Sequence, residues 1–178
     1  MLLVVAATRR ELEAVEGAET LACGIGPVEA AAATARALAE RRPSAVLHVG
    51  IAGARELDVG TAVVGTEALY EDLEAAVPVV ARALPDEGLV AALRAAVAEL
   101  RPLPIATSAR VGAARGAAVE AMEGFAVLRA AELAEVPAVE VRVVSNEIGE
   151  PDRARWRFDE ALEALDALVP RLVAAVTG

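Results

Sequence analysis

Glu11, Glu123 and Asn146 are the residues of this chain whose types and places suit chemistry best, each standing at or just after the end of a predicted strand. In open α/β sheets ligands gather at the carboxyl ends of strands. Other catalytic patterns are missing. There is no Gly-x-Ser-x-Gly elbow and no Walker sequence, and one histidine and one cysteine leave little for a nucleophilic triad. Carboxylates and a lone amide remain. Each also has an ordinary reading: Glu11 as a solvated first-turn residue, Glu123 as a helix N-terminal acid favoured by the dipole, and Asn146 as a turn residue. Against that reading, the chain has no Gln and no other Asn. An amide kept in a chain otherwise without amides is a candidate for a specific task.

The elements that must position these residues are legible as pattern. Leu2 to Ala7 is an apolar run suited to a buried strand, and Arg9 to Val15 starts a helical period. Thr20 to Cys23 predicts a strand, Gly24-Ile-Gly-Pro27 a turn, and Val28 to Glu40 an Ala-rich helix. Ala45 to Val49 is a further buried strand running into Gly50-Ile51-Ala52-Gly53, read as a tight turn where backbone approaches a ligand. Thr61 to Leu69 continues extended. From Glu71 to Glu87 acids and prolines break the period and predict a loop or lid. Gly88 to Leu100 reads as helix, Pro104 to Val111 and Ala118 to Ala121 as strands, and Glu123 to Glu135 as helix. Pro137 to Ser145 alternates Val with polar residues as a last strand, before a closing helix from Asp159 to Val176 bent near Pro170. Alternating strands and helices predict one three-layer αβα domain over residues 1–178 with a mixed, mostly parallel central sheet.

Composition narrows the partners. At 178 residues the chain can close one hydrophobic core. Its 56% hydrophobic but only 2% aromatic content calls for aliphatic packing. A net charge of -10 disfavours nucleic acid, whose phosphates need basic neutralisation. No apolar run reaches the roughly 20 residues of a membrane span. Basic residues follow the first apolar run rather than precede it, the reverse of a signal peptide, so a cytoplasmic protein with a small-molecule partner is expected. Cys23 alone can form no internal disulfide or Cys-rich zinc site, and neither metal nor cofactor is expected. The Cys23-Gly-Ile-Gly-Pro-Val turn lacks the third glycine of a dinucleotide fingerprint. His48, inside an apolar run, reads first as a satisfied core histidine.

Taken in order, six stretches carry a family resemblance: Ala7-Thr-Arg-Arg-Glu-Leu-Glu, Cys23-Gly-Ile-Gly-Pro-Val, His48-Val-Gly-Ile-Ala-Gly-Ala, Asp58-Val-Gly-Thr-Ala-Val-Val, Ala121-Met-Glu-Gly-Phe-Ala-Val and Val141-Arg-Val-Val-Ser-Asn. Together they resemble the nucleoside phosphorylase and methylthioadenosine/S-adenosylhomocysteine nucleosidase superfamily, and within it most closely the futalosine hydrolase family. Met-Glu-Gly and, some twenty residues on, Arg-x-x-Ser-Asn make the most specific part.

The resemblance implies loss of a purine from a ribose that acquires oxocarbenium character. It makes Glu11 the base that takes a proton from the attacking water, and Glu123 the carboxylate that holds the ribose hydroxyls and favours positive charge on the sugar. Met122 would pack on the ribose, and Gly50, Ile51, Ala52, Gly53 and Ser145 would line the pocket. In the phosphorylases the position of Ile51 carries a phosphate-binding serine and that of His48 an arginine, so Ile51 points to water as the nucleophile. The adenine-specific nucleosidases carry aspartate where Asn146 stands. An amide donates to a 6-oxo group and accepts from protonated N7, which fits hypoxanthine.

The expected reaction is therefore hydrolysis of futalosine to hypoxanthine and dehypoxanthine futalosine, a step of menaquinone biosynthesis. The alternatives are a phosphorylase of 6-oxopurine nucleosides or a non-catalytic nucleoside binder. The tail carboxylate of futalosine calls for an arginine, with Arg110 as the candidate, and the resemblance implies a homo-oligomer.

Overall fold

A computed structural model describes all residues, 1–178. Leu2–Ala6 (β1) is fully buried and pairs in parallel with Glu19–Ala22 (β2) on one side and with Ala45–Ala54 (β3) on the other. Between β2 and β3 runs the helix Pro27–Arg41 (α1), started by Gly26 at φ 93 and by Pro27, whose missing N–H costs nothing in a first turn. β3 continues in parallel with Ala138–Glu147 (β8), from Val46 opposite Ala138 to Gly53 opposite Asn146. β8 then pairs antiparallel with Ala62–Tyr70 (β4), which carries the short Arg82–Ala83 (β5) on part of its length.

Arg101–Thr107 (β6) lies parallel to β4, and Val119–Ala121 (β7) joins β6 back to β3. β3, β8, β4, β6 and β7 thus close on one another, while β1 and β2 extend the sheet as an open wing. Five of the eight pairings are parallel, in keeping with the mixed, mostly parallel sheet predicted.

Helices cover both faces. Glu87–Ala96 (α2), capped by Asp86 accepting from the Leu89 N–H at 2.9 Å, and Phe158–Thr177 (α4) bury Leu93, Leu165, Leu168 and Leu172 against Leu47, Val139, Val141 and Val143. On the opposite face α1 and Gly124–Leu133 (α3) bury Leu38, Val127 and Leu128 against Leu3, Val5 and Val46. Aliphatic side chains make up nearly all of both cores, as the scarcity of aromatics requires. No helix is long and apolar enough to cross a membrane.

Several boundaries differ from the sequence expectation. Arg9 to Val15 yields only the 3₁₀ turn Arg10–Leu12, because so short a period cannot sustain an α-helix without a packed face. Gly50-Ile51-Ala52-Gly53 is no turn; it is the second half of β3. β6 begins at Arg101 and ends at Thr107, short of Val111, and Asn146 lies inside β8 rather than beyond it. β8 also has no solvent face. Nine of its ten residues are buried, so its polar alternation faces a second interior.

Candidate active site

The ends of β1, β3, β7 and β8 meet at one cavity of about 400 Å³. Glu11, Ile51, Ala52 and Gly53 line it from β1 and β3, Met122 and Glu123 from the end of β7, and Ser145 and Asn146 from β8. Gly50 does not line it. A Cβ at Gly50 would sit 2.7 Å from Glu11 Oε1 and on top of Arg142 Nη1, so the glycine makes room for two functional side chains behind the wall.

Glu11 owes its direction to the 3₁₀ turn after β1. Its Oε2 accepts from the Thr8 hydroxyl at 2.8 Å and the Thr8 N–H at 2.9 Å, and its Oε1 accepts from the Ile51 N–H at 3.2 Å. The residue is 5% exposed, which excludes the solvated first-turn reading.

Glu123 occupies the cap position of α3, yet its side chain makes no cap bond. Its Oε1 instead accepts from the Gly26 N–H at 3.0 Å, and its Oε2 lies 3.4 Å from Arg142 Nη2. That carboxylate ties together the glycine turn before α1, the start of α3 and β8.

Asn146 is held at both ends of its amide. The Nδ2 donates to the Glu147 carbonyl at 3.0 Å, and the Oδ1 accepts from the Ser145 hydroxyl at 2.8 Å. A carbonyl oxygen can face only a donor, so the Glu147 contact fixes which way the amide points. One amide hydrogen and one Oδ1 lone pair remain for a ligand, a side-by-side donor and acceptor.

Beneath these groups lies a buried network around Arg142, the arginine of the Arg-x-x-Ser-Asn motif, in which Glu140 is the member that the sequence pattern did not single out. Arg142 donates from Nε to Glu140 Oε1 at 2.8 Å, approaches Glu123, and meets His48 Nε2 with Nη2. A guanidinium has no acceptor, so the Nε2 facing it is unprotonated and Nδ1 donates to the Val5 carbonyl at 3.0 Å. Burial, the Arg142 charge and, against them, the Val5 bond leave His48 far below its ordinary value. The histidine is a neutral core residue, as read from sequence. Burial, assisted by Glu123, pushes the Cys23 thiol up to about 12, so it offers no nucleophile.

Arg110, the arginine expected to meet the substrate's tail carboxylate, is exposed and outside the cavity lining. Phe125 stacks on Tyr70 with centroids 5.2 Å apart, also outside the lining. Arg10, from the Ala7-Thr-Arg-Arg-Glu stretch, lines the cavity too, as do Glu120, Trp156 and Phe158, which no local motif announces. Glu120 accepts from the Gly112 and Ala114 N–H groups at 2.6 and 2.7 Å, pinning the loop that forms one rim. No three His, Cys, Asp or Glu side chains gather in a way that could hold a metal ion.

The chain has relatives in sequence and in fold. The Phosphorylase superfamily model matches residues 20–114. A futalosine hydrolase from Streptomyces coelicolor is 40% identical, over 88% of this chain and 79% of that protein. In fold, the chain matches a futalosine hydrolase from Helicobacter pylori with a TM-score of 0.87 over 97% of both chains at 16% identity. It also matches a 5′-methylthioadenosine/S-adenosylhomocysteine nucleosidase from Neisseria meningitidis in complex with methylthio-immucillin-A, with a TM-score of 0.83, 25% identity and coverage of 99% and 97%. With similarity at that level over most of its length, the chain belongs to the futalosine hydrolase family of the phosphorylase superfamily.

Proposed function

We propose that this chain hydrolyses the N-glycosidic bond of futalosine, releasing hypoxanthine and dehypoxanthine futalosine. The observation that carries the reading is the fixed amide of Asn146, which presents a donor and an acceptor into the same cavity as Glu11 and Glu123. That pair complements O6 and protonated N7 of a departing hypoxanthine. Pairing the leaving base lowers the charge it must carry away.

Glu11 is the base for the attacking water. Its anchoring by Thr8 and Ile51 holds the carboxylate in one orientation, and a positioned base contributes about 100- to 10,000-fold. Glu123 holds the ribose hydroxyls and places negative charge beside the developing oxocarbenium. Met122, beside it in the lining, is the residue to pack on the ribose, while Ile51, Ala52, Gly53 and Ser145 shape the wall, and Gly50 serves from behind it.

Water rather than phosphate is the nucleophile. Ile51 offers no hydroxyl, and the deep guanidinium of Arg142 is already taken by Glu140 and Glu123. The functional unit is a homo-oligomer, since Ile25 and Val111 at the cavity are 62% and 44% exposed and are apolar surface for a second copy to cover. A cytoplasmic role in menaquinone synthesis goes with this reading.

The test is to incubate the protein with futalosine, inosine and methylthioadenosine, with and without phosphate, and detect free base. Hypoxanthine from futalosine at a rate indifferent to phosphate is expected. A strict phosphate requirement with a sugar 1-phosphate product would overturn hydrolysis, and no base release from any substrate would leave only a binding protein.

A further inference from the structure

Of the two cations that line this cavity, Arg10 is the partly exposed one, and its two carboxylate partners engage only one of its nitrogens. Of the 17 arginines, only Arg10 and Arg142 line the cavity. Arg142 is buried between Glu140 and Glu123. Arg10 is 39% exposed, and its contacts to Asp166 at 2.8 Å and Glu13 at 3.3 Å are both made through Nη1. A guanidinium has five N–H donors in a planar fork, so the edge away from Nη1 stays available for a bidentate partner.

The surroundings say what kind of anion fits. Asp166 tethers Arg10 to α4, on the helix face that also carries Leu162 and Phe158, because positions four apart lie above one another. Leu162 and Phe158 line the cavity with Trp156. Trp156 packs edge-on to Phe158 with centroids 5.3 Å apart, and its indole N–H is fixed on the Glu150 carbonyl at 3.0 Å. An apolar, aromatic wall beside one arginine suits a flat ring bearing a carboxylate better than a free inorganic anion. Arg153, which lies 5.6 Å over the Trp156 ring, is outside the lining.

We propose that Arg10, with Trp156 and Phe158, forms the subsite for the aryl carboxylate tail of the substrate and sets the preference for a nucleoside that carries one. The inference rests on futalosine being the substrate, and its test is separable from that reading. Trp156 is the sole tryptophan, so its fluorescence reports the subsite without any turnover. Titration with 3-acetylbenzoate, and with 3-acetylbenzamide as the uncharged control, is expected to show quenching at least about tenfold tighter for the acid. Arg10→Met should abolish that difference, and Arg10→Lys, which keeps the charge but loses the fork, should restore part of it.

With turnover as the readout, the ratio of kcat/KM for futalosine over its tail methyl ester should fall at least about tenfold in Arg10→Met. Equal quenching by acid and amide in the wild type, or a difference that survives Arg10→Met, would overturn the assignment even if futalosine is hydrolysed. Failure to release base would sink the futalosine reading, while a tail-selective fluorescence response would still support the subsite.

Discussion

Two residues apart on β8, Glu140 and Arg142 bury opposite charges against each other, with Nε donating to Oε1 at 2.8 Å and side chains only 0% and 1% exposed. Burial alone would lower Arg142, but Glu140 and Glu123 outweigh it and hold the guanidinium above its ordinary value. Glu140 goes the other way: burial raises its carboxyl, Arg142 opposes, and Glu123 adds to the rise. The pair sets where Arg142 lies, and Arg142 in turn faces Glu123. Breaking one member of such a pair leaves a buried charge uncompensated, which costs about 3–5 kcal/mol.

Gly124 shows how tightly this pair is housed. A Cβ on it would stand 2.5 Å from the Glu140 Cδ and overlap both carboxylate oxygens, which explains the glycine after Met122-Glu123. Gly124→Ala should therefore displace Glu140, lower stability by about 2–4 kcal/mol and reduce kcat/KM, because Glu123 loses a fixed neighbour. In a Glu140→Ala background the added methyl has room, so the same change should cost far less. Urea unfolding of the four proteins in this cycle gives the coupling, and additive effects would mean that the carboxylate does not require the glycine.

Glu11→Gln tests the base. The amide keeps the size of the side chain but takes no proton, so single-turnover hydrolysis of futalosine should fall about 100- to 10,000-fold. Substrate binding should weaken less, by an amount set by the Thr8 and Ile51 N–H groups, one of which would then face an amide nitrogen rather than an oxygen. A rate near that of the native protein would remove Glu11 from the mechanism.

His48 makes stability depend on pH. In the fold it is held neutral with its value far below 6.5, while the unfolded chain titrates it near 6.5. Below that pH the unfolded state binds one more proton, so this contribution to stability is intact above pH 6.5 and is lost as pH falls further. The slope is about 1.4 kcal/mol per pH unit. Urea unfolding at pH 7, 6 and 5 should show His48→Asn with a shallower acid loss by about that amount between pH 6 and 5. Equal slopes would mean that His48 gains a proton inside the fold.

What could be read in the sequence depended on how far each signal reaches along the chain. β1, α1 and α4 show themselves because burial of a continuous apolar run or an Ala-rich face is a local property. Gly50 and Gly53 mislead because a glycine without positive φ is not a turn residue; here each yields space to a side chain from β8, Arg142 at one and Asn146 at the other. Glu11, Glu123 and Asn146 stand out because strand ends are where such folds bind ligands. Glu140 does not, and Arg142 does so only through the Arg-x-x-Ser-Asn motif, because charged residues alternating with valine read as a solvated face, and only α3 and β3 closing over them make that face an interior. Arg10 and Trp156 come from opposite ends of the chain, and what joins them to one cavity is α4 crossing the 3₁₀ turn.

Asn146→Asp is the sharpest test of the base preference. The amide now points its nitrogen at the Glu147 carbonyl, 3.0 Å away, and its oxygen at the Ser145 hydroxyl. A carboxylate in that place would set one oxygen against the Glu147 carbonyl and, toward the ligand, an acceptor against O6 of hypoxanthine. Activity on futalosine should fall for both reasons. A 6-amino base meets the same carboxylate as a donor, so aminodeoxyfutalosine should lose less or gain, provided the wall formed by Ser145 and Gly53 admits the amine. Losing one hydrogen bond and adding one repulsion cost about 1–3 kcal/mol each, so the ratio of kcat/KM for the two nucleosides should move by at least about tenfold toward the amine. If the ratio stays where it is in the native protein, Asn146 does not read the base, and the donor and acceptor it presents serve only to tie β8 to its own turn.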